Sequence, residues 1–269
     1  MAFAIPFPMI DPIALELGPI AIRWYALAYI VGLVGGWQYI KRISPKFPGN
    51  ITHEHVDDFL FWATIGVVLG GRTGYVLFYN FDYFSSNPVA IFQVWNGGMS
   101  FHGGFMGVVV AAMLFCKKHK LPMMTFGDLL ACGTPIGLFF GRIANFANSE
   151  LYGRTTDVPW GVIFPNGGPD PRHPSQIYEA IMEGLILFIV LFVLSRRERL
   201  RHAPGLFVGI FIAGYGVARS IVELFRQPDA QIGFLSGGST MGQWLSVPMI
   251  LIGLFFVWRA LVNKQETNT

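Results

Sequence analysis

Polar residues cut this chain into apolar runs of nearly uniform length. A membrane-crossing helix needs about 20 mostly apolar residues. Seven runs of adequate length lie at 20–40, 59–79, 98–116, 126–143, 177–194, 205–223 and 244–261. An eighth, 88–95, is too short to cross and predicts an interfacial or re-entrant piece leading into the third helix. The pattern therefore predicts an all-α polytopic membrane protein with seven transmembrane helices, forming a single domain over 1–269. The segment 145–176 is dense in Gly, Pro, Asn and Asp and predicts turns and short strands. It is expected to form a small irregular head inserted between the fourth and fifth helices.

Composition agrees with that reading. Of 269 residues, 53% are hydrophobic, 15% aromatic and only 13% charged, which excludes an ordinary cytosolic enzyme and a disordered chain alike. The formal charge of +3 is too small to suggest a nucleic-acid partner. Its distribution is more informative, because Lys and Arg in short loops stay on the cytoplasmic side. Lys41, Arg42 and Lys46, then Lys117, Lys118 and Lys120, then Arg196, Arg197, Arg199 and Arg201, and finally Arg259 and Lys264 fall in alternate loops or at the C-terminus. The opposite loops hold only Arg154, Arg172 and Arg226. The N-terminus is thus expected outside and the C-terminus in the cytoplasm. The first 19 residues lack a basic start and a small-residue cleavage site, and do not read as a cleaved signal peptide.

Four arginines remain inside or at the edge of helices: Arg23, Arg72, Arg142 and Arg219. An arginine at the bilayer centre costs about 2.5 to 3.5 kcal/mol on insertion scales, so it normally faces protein and has a partner. On the predicted topology Arg72, Arg142, Arg219 and His102 share the depth of the outer leaflet. Tyr215, Arg219 and Glu223 recur every four residues on one helix face, and Glu179 and Glu183 repeat that spacing. Simple neutralisation of Arg219 by Glu223 would explain that pair alone. Acidic residues at the right depth look too few for all the arginines, and an anionic ligand would restore the balance. Arginine grips phosphate through a planar fork, which suits a phospholipid head group.

Five strings resemble those of one family: IRWY at 22–25, NGGMSFHGG at 96–104, GRIANFANSELYG at 141–153, RHPSQIYEA at 172–180 and GYGVARSIVELFRQPD at 214–229. In order and spacing they are similar to the signatures of bacterial prolipoprotein diacylglyceryl transferases. Phe105 and Ala147 depart from the usual residues without removing a polar group. The resemblance implies an inner-membrane enzyme acting toward the periplasmic leaflet. Its substrates would be phosphatidylglycerol and a preprolipoprotein signal peptide bearing a lipobox cysteine. The diacylglyceryl group would pass to the cysteine thiol, making a thioether and releasing glycerol phosphate. No cofactor or metal is implied.

The site residues follow. A thiol with an ordinary pKa of about 8.5 is mostly protonated near neutrality, so a base helps, and His102 among its glycines is the candidate. Arg142 and Arg219 would hold the phosphate and stabilise charge on the leaving oxygen. The resemblance adds Tyr25, Asn145, Asn148, Glu150, Gly153, Tyr215 and Glu223 to the substrate site. Plainer readings stand beside these: His102 bonded to a neighbouring helix, Asn145 as a helix cap, Glu150 orienting Arg142 or Arg154. Gly66, Gly70 and Gly74 read as a close helix contact, His173 as a loop-shaping residue, and His53, His55, His119 and His202 as solvated. Cys116 and Cys132, in apolar stretches, read as packing residues. The competing function is a lipid or anion transporter that uses the intramembrane arginines as its path, and a third is a non-catalytic assembly factor.

Overall fold

The computed structural model describes residues 4–8, 11, 13–18, 20–228 and 233–266. Asp229, the last residue of the fifth string, and Met1 to Phe3 of the N-terminal stretch lie outside them. A helix occupies each of the seven apolar runs: α1 Trp24–Ile43, α2 His53–Phe78, α4 Phe101–His119, α5 Met123–Ala147, α6 Ser175–Ser195, α7 Leu206–Val222 and α8 Met241–Glu266. Between α2 and α4 stands a short α3, Phe81–Ser86. Five of these helices, α2, α4, α5, α6 and α8, are long and apolar enough to cross a membrane. Helix α7, with 17 residues, is apolar but shorter, and α1 has 20 residues diluted by Gln38, Lys41 and Arg42. Large apolar side chains such as Phe61, Leu69 and Leu251 are more than 60% exposed, which suits hydrocarbon as the surrounding solvent. The chain is a polytopic helical membrane protein.

One expectation needs adjustment. The first run does not begin as helix: Ile20–Arg23 is a strand, β3, paired antiparallel with β2, Ile13–Leu17. Gly18, at φ +61°, lies between them, and a short apolar stretch with isoleucine at alternate positions satisfies a strand as readily as a helix start. The stretch 88–95 is, as its length suggests, a pair of 3-10 turns, Pro88–Phe92 and Val94–Asn96.

The chain divides into two compact units, one of residues 41–127 and one of residues 1–40 and 128–269. Within 41–127, α2 starts on a capping box in which Thr52 and His55 bond each other's backbone N–H. Helices α2 and α4 run antiparallel along a seam of glycines. A side chain on Gly66 or Gly107 would strike the carbonyl of the other, and one on Gly70 or Gly103 would do the same. Small residues let membrane helices approach this closely. Phe59, Phe115 and Phe126 fill the far end of the seam.

In the other unit, Gly32 and Gly36 of α1 face Gly137 and Gly133 of α5, and Gly209 of α7 faces Gly253 of α8. Helix α6 widens into a π-helical turn over Ala180–Ile186, where Gly184 lies against the backbone of Phe139. Asp128, fully buried, accepts N–H bonds from Gly205 and Val208 at 2.7 and 2.8 Å and so caps the start of α7. The segment after α5 is irregular with short strand pairings, as expected. Strand β4, Val162–Ile163, pairs in parallel with β1, Ile5–Pro6, over a small core of Phe7, Val162 and Phe164, with Phe146 and Tyr152 against it.

Candidate functional site

Three helices of the larger unit bring charged groups to one place. Helix α5 supplies Arg142, α6 supplies Glu179 and Glu183 from successive turns, and α7 supplies Arg219 and Glu223. Arg226, just past α7, turns back to join them. Arg142 lies 3.1 Å from Glu179 and 3.0 Å from Glu183. Arg219 lies 2.8 Å from Glu179 and 2.5 Å from Glu223. Arg226 reaches Glu223 at 3.5 Å and Glu179 at 3.7 Å.

This arrangement corrects one step of the sequence argument. The arginines do not lack counter-charges, because among the described residues Arg142, Arg219 and Arg226 meet Glu179, Glu183 and Glu223. Arg226, a loop residue by sequence, joins the cluster, and the two α6 carboxylates face the arginines of α5 and α7. The cluster is nonetheless asymmetric. Its three carboxylates are sealed, at 0, 0 and 1% side-chain exposure, while Arg142 and Arg219 keep 17 and 15%. What exposure the cluster has belongs to its arginine side chains, Arg226 at 12% included, and not to its carboxylates.

Around this cluster fall other residues of the expected site. Tyr215 lies one turn before Arg219 and within electrostatic reach of Glu183, Arg142 and Arg219. The Tyr25 hydroxyl lies 3.0 Å from that of Tyr29 and is in reach of Glu150 and Arg142. Asn145 is buried at the end of α5, where its carbonyl accepts the Glu150 N–H at 3.1 Å. Its side-chain amide makes no hydrogen bond among the described residues, so the capping is done by its backbone. The Asn148 N–H bonds Ala144, and the chain then passes through left-handed Ser149 and Leu151, both non-glycine.

Glu150 pairs with neither Arg142 nor Arg154. Arg154 instead donates to the carbonyls of Glu223 and Arg226, each at 2.9 Å, finishing the end of α7. Gly153 has a backbone reason to be glycine, since a Cβ there would strike Phe225 and His173. Its N–H donates to the His173 carbonyl at 2.9 Å.

His173 shapes the loop, with its ring 3.1 Å from the Tyr178 hydroxyl and edge-on to Phe225. Burial, and the Arg154 guanidinium beside it, hold its imidazole below the usual range, with Asp157 acting the other way. Folding therefore disfavours its charged form. The stabilisation is whole above about pH 6.5, the ordinary histidine value, and is lost as pH falls toward the lower folded value. The thermal midpoint of detergent-solubilised protein should drop over that window, and His173→Asn should flatten the slope. An unchanged slope in the variant would show that another group controls it.

The other unit carries His102, in the first turn of α4. Its imidazole is exposed and makes no hydrogen bond within that unit, which removes the reading of a histidine bonded to a neighbouring helix there. It borders an open apolar groove of about 540 Å³ along α2 and α4, flanked by Leu69, Leu77 and Met106 and floored by the glycine seam. Arg72 departs from expectation. It is 6% exposed and spends its guanidinium on main-chain carbonyls: Ile91 at 2.7 Å, Gly97 at 2.6 Å, Ala90 at 2.5 Å, Gly98 at 3.2 Å and Gln93 at 3.3 Å. Backbone carbonyls have no signature in sequence, so this partner set was not foreseeable. Among the described residues no three His, Cys, Asp or Glu side chains are grouped to hold a metal ion.

Fold and site together define a multi-pass helical membrane protein in which three buried carboxylates are paired with partly exposed arginine side chains. Residues 12–259 match the family model of prolipoprotein diacylglyceryl transferase, and the chain belongs to that family. It is 58% identical over 262 residues to the phosphatidylglycerol–prolipoprotein diacylglyceryl transferase of Paramagnetospirillum magneticum, covering 97% of each chain. Against the protein of the same name from Rhodospirillum rubrum, identity is 57% over 256 residues, covering 94% of this chain and 93% of that one. For the Azospirillum brasilense protein it is 56% over 259 residues, covering 96% and 97%.

Proposed function

We propose that the protein transfers the diacylglyceryl group of phosphatidylglycerol to the lipobox cysteine of preprolipoproteins in the bacterial inner membrane. Family membership and near-full-length relatives of that name support the transfer, and they lend nothing to a lipid or anion transporter. Seven spans, with the N-terminus periplasmic and the basic loops cytoplasmic, follow from the alternation of charge and from a helix on every apolar run. On that topology the charged cluster opens toward the periplasmic leaflet, and the segment 145–176 forms a small head beyond it.

The cysteine sulfur attacks the glyceryl CH2 attached to phosphate. A C–S bond forms, the C–O bond breaks, and glycerol phosphate departs with the bonding electrons. The thiol proton passes to His102. Arg142 and Arg219 hold the phosphate and stabilise the charge arriving on its oxygen. The observation that carries this reading is the asymmetry of the cluster: a buried Glu layer holds two guanidiniums that remain partly open. Glu179 and Glu183 fix the forks, so their geometry is set before the lipid arrives, while Glu223 anchors Arg219. Tyr25, Asn145, Asn148, Glu150, Gly153 and Tyr215 border or shape the same site.

The test is purified protein in detergent with phosphatidylglycerol and a lipobox peptide, scored for thioether and glycerol phosphate. Arg142→Ala and Arg219→Ala should insert into the membrane yet lose at least about 100-fold in turnover, the scale seen when a charge-stabilising donor is removed. Near-normal turnover in either variant overturns the phosphate assignment. Failure of the wild type to form thioether while binding the lipid overturns the transferase reading.

A further inference from the structure

The mechanism leaves Arg72 unused, although it is a buried arginine on a helix that crosses the membrane. A guanidinium has five N–H donors, and all five point at main-chain oxygens between Ala90 and Gly98. None is left for a phosphate. The effect of this fork is on the chain that it gathers. The two 3-10 turns and the Gly97–Gly98 step are pulled onto one point, with both glycines in the left-handed region at φ +81° and +79°. A Cβ on Gly98 would meet the Tyr75 ring and Arg72 Nη1, so the backbone fits against this arginine only as glycine.

Immediately afterwards the chain is pinned again. The Ser100 N–H donates to the Gly71 carbonyl at 2.9 Å, next to Arg72 on α2. The Ser100 Oγ accepts the Gly103 N–H at 3.2 Å and caps α4. His102 sits between those two residues. Because no hydrogen bond within the unit steadies its imidazole, backbone placement determines where it stands. That placement is set by the Arg72 fork and the Ser100 bonds.

We propose that Arg72 is a positioning residue for His102, acting through the 90–98 strap that leads into α4. The inference rests on the reading of His102 as proton acceptor. Lysine at position 72 keeps the charge but donates from a single nitrogen, and cannot span carbonyls from five residues. Displacing a catalytic group by about 1 Å can cost roughly 100-fold in rate. Arg72→Lys should therefore lower kcat by about that factor, with KM for phosphatidylglycerol unchanged, because the lipid phosphate is gripped by other residues. Arg72→Ala should recover turnover with added guanidinium ion and not with methylammonium. Gly98→Ala, which leaves Arg72 in place but pushes the strap off it, should reproduce the kcat loss.

Coupling separates this role from general damage. In a His102→Gln background, Arg72→Lys should add little further loss, since both changes act on the same step. Normal kcat in Arg72→Lys, a raised KM at unchanged kcat, or multiplicative losses in the double variant would each overturn the proposal. Should Arg72 variants not be recovered folded, Gly98→Ala with normal kcat overturns it alone. Wild-type turnover in the single His102→Gln variant would instead overturn the His102 reading, independently of any change at Arg72.

Discussion

A Glu179→Ala variant is expected to lose both stability and turnover, and to lose more than removal of any other carboxylate. Glu179 is fully buried and is the one acid within 4 Å of all three clustered arginines, Arg142, Arg219 and Arg226. Without it, Arg142 and Arg219 keep only Glu183 and Glu223 between them, and the buried network loses the carboxylate that its guanidiniums share. Breaking a buried ion pair by deleting one partner costs about 3 to 5 kcal/mol. Turnover should fall by at least about 100-fold, because Arg142 and Arg219 lose the group that holds their forks in register. Glu179→Gln keeps the shape and some hydrogen bonding, so it should insert more readily while remaining slow. The measurements are the thermal midpoint in detergent and thioether formation. A Glu179→Ala protein with near-normal values of both would mean that the cluster is not a cooperative unit.

Gly107→Leu should have the other large effect. The seam between α2 and α4 leaves no room for a Cβ at Gly107, which would fall on the Gly66 carbonyl, or at Gly103, which would fall on that of Gly70. Because the obstacle is backbone, the helices themselves must part. Overpacking typically costs about 1 to 3 kcal/mol and sometimes more, and a leucine against backbone belongs at the upper end. Folded yield and turnover should both collapse, since His102 rides on the displaced helix. Gly104→Ala is the contrast. Its added methyl would meet Val67 at an ordinary 3.5 Å, so yield and turnover should stay near wild type. Equal tolerance of the two substitutions would show that the seam is looser than drawn.

Much of this architecture is legible in the chain because hydrocarbon imposes one periodicity and one length. Helices stand on all seven apolar runs, and the glycine spacing at 66, 70 and 74 does mark a close contact. The strand at Ile20–Arg23 is not legible, because three apolar residues and an arginine fit either geometry until a pairing partner is known. For the site, Arg142, Arg219, Tyr215 and Glu223 could be found from residue type and from spacing along single helices. Which carboxylate faces which arginine could not, since that depends on how α5, α6 and α7 pack. Arg226 shows the difficulty: three residues past Glu223 it reads as a loop cation, yet it joins the cluster beside Glu179 and Glu223. Asp128 was missed altogether, a lone acid in an apolar run whose partners are the N–H groups of a helix about 80 residues away.

Helix α7 has its first turn closed by Asp128, and Arg154 takes the carbonyls of Glu223 and Arg226 just past its end. Seventeen residues rise only about 25 Å, against roughly 30 Å of acyl interior in a typical bilayer. Capping groups donated by other segments let so short a rod end below the interface without exposing peptide dipoles to lipid tails. A span of this length lies at the short end of what a bilayer accepts, so a slightly thinner hydrocarbon layer is the environment that would match it best.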